Sequence, residues 1–118
     1  MKFQKLEVWQ LSYKLSCSVY LNTKELRDWG FKDQITRSGL SVPSNIAEGI
    51  ERQGVKEQIQ FLYIAKASLA EVMTQAMIGK DIDYLEPVFV DELLINTDKI
   101  SAMLAGLIKS IKARNQSS

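Results

Sequence analysis

The chain has 118 residues, 46% hydrophobic and 25% charged, with a formal charge of +1. That is the profile of one ordinary globular domain over residues 1–118 and excludes a disordered or collagenous chain; the near-zero balance supplies no global field toward nucleic acid. Histidine is absent and Cys17 is the only cysteine, which excludes Ser-His-Asp and Cys-His catalysis, imidazole metal ligation, an internal disulfide and a cysteine zinc site.

The start, Met1-Lys2-Phe3-Gln4-Lys5, runs into a mixed polar stretch, so no signal peptide is expected. No window approaches the roughly 18 consecutive apolar residues of a membrane span. With a lone thiol, the expected location is the cytoplasm, with no membrane partner.

Helical spacing dominates from there on. In the first segment Leu6, Trp9, Tyr13, Cys17 and Tyr20 recur at steps of three and four, and Val8, Leu11, Leu15 and Val19 form a second stripe beside them. So wide an apolar face predicts a helix packed against two neighbours. Trp9, Tyr13 and Tyr20 are expected in the core, and Cys17 buried and inert among them. The pattern fades over residues 23–29, where Gly30 punctuates the connection.

The second segment, from about Phe31 to Gln53, carries Ile35, Gly39, Val42, Ile46 and Gly49 on one line. Two glycines on a packed face allow close approach of another helix. Pro43 lacks an N–H and crowds the carbonyl of Gly39, yet the periodicity passes through it in phase. The expectation is one helix kinked at Pro43; the alternative is a break with Pro43 opening a new helix. Gly54 or its neighbour is the expected cap.

A third helix follows from Val55 to about Ile78, with Ile59, Leu62, Lys66, Leu69, Met73 and Ala76 in line and Gly79 ending it. Lys66 is the odd member. Residues 80–86 form an acidic loop, and Pro87 suits the first position of the fourth helix. That helix carries Phe89 or Val90, Leu93, Thr97, Ile100, Leu104, Leu107 and Ile111 in a bundle-like rhythm, with a frayed tail at Asn115–Ser118. No strand-type alternation is sustained. The fold class is all-α, an antiparallel up-down four-helix bundle.

Two polar features stand out. Residues 81–98 hold six acids (Asp81, Asp83, Glu86, Asp91, Glu92, Asp98) and no base, whereas Lys99, Lys109, Lys112 and Arg114 follow with no acid. This order complements the helix dipole; the sharper alternative is that Lys109, Lys112 and Arg114 meet an acidic partner or nucleic acid. On the second helix Gln34, Ser38, Ser41, Asn45, Glu48 and Arg52 form a polar line, with Arg37 close by. The line is either a solvated face or a wet helix–helix interface, within or between chains, held by charge-assisted hydrogen bonds. Glu48 has no second acid or metal partner at a fixed spacing to support catalysis.

The segments Phe31-Lys32-Asp33-Gln34-Ile35-Thr36-Arg37-Ser38 and Ser41-Val42-Pro43-Ser44-Asn45-Ile46-Ala47-Glu48-Gly49, followed by Arg52, resemble the four-helix-bundle family of the 23S rRNA intervening-sequence proteins. The third-helix pieces Phe61-Leu62-Tyr63-Ile64-Ala65 and Ser68-Leu69-Ala70-Glu71 are similar to that family as well. So are Lys5-Leu6-Glu7-Val8-Trp9 and Met103-Leu104-Ala105-Gly106-Leu107-Ile108. The resemblance implies a small bacterial bundle protein that assembles as a homopentamer, with no established enzymatic activity and often encoded within a ribosomal RNA gene. It also implies kinship with the accessory proteins of diversity-generating retroelements, which bind nucleic acid and a reverse transcriptase. Those proteins are strongly basic, and this chain is nearly neutral.

The expected function is a non-enzymatic oligomeric scaffold. The alternative is an accessory protein that binds RNA or DNA weakly through a local basic ring built from Lys109, Lys112 and Arg114. A di-metal bundle needs Glu-x-x-His pairs, which a His-free chain cannot make. No cofactor, metal or small-molecule substrate is expected.

Overall fold

A computed structural model describes residues 2–117; Met1 of the N-terminal reading and Ser118 of the expected frayed tail lie outside the described residues. A short 3-10 turn at Phe3–Lys5 leads into α1 (Glu7–Thr23), α2 (Trp29–Glu51), α3 (Val55–Asp81) and α4 (Pro87–Ser117). No strand occurs among the described residues. Each helix packs on its chain neighbours and α4 returns to α1, so α1 and α3 stand diagonally across the bundle. The molecule measures 51 × 21 × 20 Å. This is the all-α four-helix bundle that the periodicity predicts.

Local chemistry decides where the helices start, run on and stop. Asp28 caps α2 by accepting the Phe31 amide at 3.1 Å, and the Tyr84 hydroxyl donates to the same carboxylate at 2.9 Å. One carboxylate thereby joins the start of α2 to the α3–α4 connection. Pro43 lies inside α2, which runs through it as one helix instead of restarting there. At Gly54 the expected cap resolves into two residues: Arg52 closes α2 and Gly54 opens α3.

Gly79 corrects a boundary. It does not end α3, which continues to Asp81 with Gly79 buried in its last turns. A Cβ there would meet Leu85 Cδ1 at 2.6 Å and Phe31 Cζ at 2.9 Å. The glycine is thus present for close approach, not for chain termination. The turn that follows is made by Asp83, at φ 63°, in the left-handed region that Asp tolerates better than most residues. Residues 115–117 are the last of α4.

The core is built from Val8, Leu15 and Val19 of α1, Ile35, Val42 and Ile46 of α2, Leu62, Leu69 and Val72 of α3, and Val90, Ile100 and Leu104 of α4. On α2 the small-residue line is buried as expected, and a Cβ on Gly39 would stand in ordinary contact with Val19 of α1, at 3.6 Å. On α4, Val90 and Ile108 are buried, while Phe89 and Leu107 are half-buried at the edge.

On the first helix only one of the two expected stripes is buried, that of Val8, Leu15 and Val19. Its buried line is Val8, Ser12, Leu15, Ser16, Val19 and Thr23, and the aromatic line faces outward. Tyr13 is 53% and Tyr20 45% exposed, Cys17 is exposed, and Trp9 is only half-buried. The expectation of a core position is therefore wrong for Tyr13, Tyr20 and Cys17, whereas Trp9 packs at the edge of the core. Serine and threonine occupy the buried line because their hydroxyls are satisfied within the helix: Ser12 donates to the Val8 carbonyl at 2.7 Å and Thr23 to the Val19 carbonyl at 2.8 Å. Short side chains with satisfied hydroxyls carry little burial penalty and let the helices close up.

Candidate functional site

The polar line of α2 divides into a buried or half-buried middle and exposed ends. At its centre Asn45 Nδ2 donates to the Ser41 hydroxyl at 2.8 Å, and Ser41 and Ser68 of α3 share a hydrogen bond of 2.8 Å. Ser68 also donates to the Ile64 carbonyl at 3.0 Å. Each hydroxyl has one proton, so the direction follows. Asn45 donates to Ser41, Ser41 to Ser68, and Ser68 to the carbonyl. Asn45 reaches the Ser41 carbonyl too, at 2.8 Å. Four polar groups thus form a satisfied seam between α2 and α3. Gly49 extends it: a Cβ there would stand 3.0 Å from the Gln58 carbonyl oxygen and 3.1 Å from Phe61 Cβ. Only glycine lets α3 begin so close to the last turn of α2.

Ser38 is buried and donates to its own helix, to the Gln34 carbonyl at 2.9 Å. The charged members make only exposed ion pairs. Arg37 Nε meets Asp33 at 2.9 Å, and Arg52 meets Glu48 at 3.2 Å and Glu57 at 3.7 Å, with its guanidinium 4.8 Å from the Phe61 ring centre. Pairs this open contribute about 0–1 kcal/mol each. Gln34 is exposed beside them. Within one chain, then, Ser41 meets α3 directly and Asn45 through Ser41, Arg52 reaches α3 from the surface, and Gln34, Arg37 and Glu48 stay exposed on α2.

The basic residues of α4 also separate. Lys109 and Lys112 line a groove of about 390 Å³ between α3 and α4, together with Tyr63 and Lys66. Arg114 lies in a different cleft, beside Lys2, Leu6 and Val55 at the end of the bundle. The acids of α4 are partly engaged by the neighbouring helix: Asp91 accepts from Lys80 at 3.0 Å. Lys99 reaches Glu7 of α1 at 3.8 Å. Sequence reasoning missed Tyr63 and Lys66 as partners of Lys109 and Lys112. The signal was present in the anomaly of Lys66, which interrupts an apolar line three residues after Tyr63.

Among the described residues no three His, Cys, Asp or Glu side chains gather as a metal ion would require. No helix among them is long and apolar enough to cross a membrane.

Four helices joined by short connections, a hydroxyl–amide seam between α2 and α3 and an uncovered aromatic line on α1 define a small four-helix-bundle protein. The model of the 23S rRNA-intervening sequence protein family matches residues 4–106, and the chain belongs to that family. A solved structure with the same fold is that of a protein of unknown function from the S23 ribosomal protein family of Bacteroides thetaiotaomicron VPI-5482. It has a TM-score of 0.76 and 22% identity, over 86% of this chain and 98% of that one. No curated protein matches the chain.

Proposed function

We propose that the chain is a non-enzymatic bundle that self-associates, as a homopentamer, to form a scaffold. One observation carries the reading: the outward line of α1 is composed like a core and left uncovered. Trp9, Tyr13, Cys17 and Tyr20 repeat at helical spacing on that face, followed by Leu21, 66% exposed. Leu40, next to the glycine that faces Val19, is 48% exposed on the adjoining helix. Contiguous apolar surface rimmed by polar residues marks an association face, and aromatic side chains are enriched at such faces. Five copies is the number that family resemblance implies. A reducing cytoplasm suits the free thiol of Cys17.

Cys17 supplies the test. Its thiol is open in a single chain, so a covered face predicts slow reaction with a thiol reagent in the assembled protein. Tyr13→Glu, which places a charge in that face, is expected to dissociate the assembly and speed the reaction at least tenfold while the helical spectrum is kept. A wild-type thiol that reacts as fast as a free cysteine would refute the reading.

A further inference from the structure

The α3–α4 groove has a property that the scaffold reading does not use. Lys66, Lys109 and Lys112 converge on it, no carboxylate lines it, and none of the three makes an ion pair among the described residues. On the same face Tyr63 is 49% exposed. The Lys112 ammonium donates to the Tyr63 hydroxyl at 3.3 Å and stands 5.6 Å from the ring centre. Ala105 and Ile108 contribute apolar floor. In a chain of net charge +1, three ammonium groups without acids are a local concentration of positive charge.

We infer that this groove binds the phosphate backbone of a single-stranded nucleic acid, with a base stacked on Tyr63. The chemistry favours that ligand over an acidic peptide. Lysine ammoniums are point charges that attract phosphate and carboxylate alike, so the choice rests on the ring beside them. A half-exposed ring beside unpaired cations is the combination by which single strands are held without sequence preference. Asp and Glu side chains offer no aromatic face to stack on that ring, whereas every nucleotide does. The groove belongs to α3 and α4, and α3 lies diagonally across the bundle from α1. Assembly through α1 therefore leaves it accessible, but the inference does not depend on assembly.

The probe is a fluorescently labelled oligouridylate of about a dozen nucleotides, titrated with the full-length protein and followed by anisotropy. Between about 50 and 200 mM salt the affinity is expected to fall, each neutralised phosphate adding about 0.7 to the slope of log K against log salt. Lys66→Gln, Lys109→Gln and Lys112→Gln should each weaken binding and flatten that slope by about 0.7. Tyr63→Leu should weaken binding about tenfold at unchanged slope, and Tyr63→Phe should retain most of it. Arg114→Gln, in the other cleft, should bind like wild type; circular dichroism checks that every variant is folded. No salt-sensitive binding at about 50 mM salt overturns the proposal, as does an Arg114→Gln loss equal to that of Lys109→Gln. Displacement by polyglutamate as readily as by unlabelled oligouridylate overturns it in favour of an acidic peptide.

Discussion

Replacing Gly79 by alanine puts a methyl group where the α3–α4 connection already sits. The added Cβ would lie 2.6 Å from Leu85 Cδ1, 2.9 Å from Leu85 Cγ and 2.9 Å from Phe31 Cζ, against ordinary carbon contacts of about 3.5–4.0 Å. Neither neighbour is free to move. Leu85 is buried, and Phe31 packs edge-on against Tyr84 with ring centres 5.3 Å apart. Overpacking of this kind costs about 1–3 kcal/mol, partly offset by alanine's helix preference of up to about 1 kcal/mol. Gly106 is the matched control, since it is also helical and a Cβ there meets nothing within 4 Å. Gly106→Ala should therefore gain up to about 1 kcal/mol. Urea unfolding at one protein concentration measures both, and the two variants should differ by about 2 kcal/mol with Gly79→Ala the weaker. A Gly79→Ala midpoint at or above that of wild type would show that Leu85 and Phe31 do not rest on this glycine.

Three further outcomes follow from the same geometry. Gly49→Ala should lose about 1–2 kcal/mol in urea unfolding, because the Gln58 carbonyl it meets is backbone and cannot rotate aside. Ser41→Ala and Ser68→Ala should each cost about 1 kcal/mol and the double variant less than their sum, since the two hydroxyls share one hydrogen bond; strict additivity in the double-mutant cycle would contradict the seam. The hydrogen bonds from the Phe31 amide, first, and from Tyr84 hold the Asp28 carboxyl below its ordinary value, and Asp28 holds the Tyr84 hydroxyl above its own. The Asp28 contribution is whole above the ordinary carboxylate value and is lost as pH falls through the lowered one. That of Tyr84 is whole below the ordinary phenol value and is lost as pH rises through the raised one. The difference in melting temperature between wild type and Tyr84→Phe should thus be flat from roughly pH 5 to 9 and shrink on either side; a difference unchanged into strong alkali would contradict the contact.

The helices and most of the packing were legible because three of the four segments keep one apolar line. On α2 and α4 that line is the buried one, from Ile35 to Gly49 and from Leu93 to Ile111. On α1 the spacing offers two adjacent apolar stripes, and only that of Val8, Leu15 and Val19 is buried. Ser12, Ser16 and Thr23 score as surface residues, yet their line faces the core, while Tyr13 and Tyr20 score as core and face out. Nothing local to α1 separates the two, because the choice depends on which stripe α2 and α4 can approach most closely. The site shows the same limit. The Asn45–Gly49 block was visible, but Ser68, which completes its hydrogen-bond relay, is 27 residues from Ser41 in the chain. Tyr63 and Lys112 are 49 apart. Periodicity gives the face of one helix; cross-helix partners come from the antiparallel register, which spacing within a single helix does not contain.

On the proposed reading, the outward line of α1 is a face between copies of the chain. Sedimentation equilibrium of the wild-type protein at tens of micromolar tests it most directly. The predicted mass is a multiple of the 13.4 kDa of one chain, five in the proposed assembly, falling toward one copy in Tyr13→Glu. A wild-type mass of 13.4 kDa across the concentration range would contradict it.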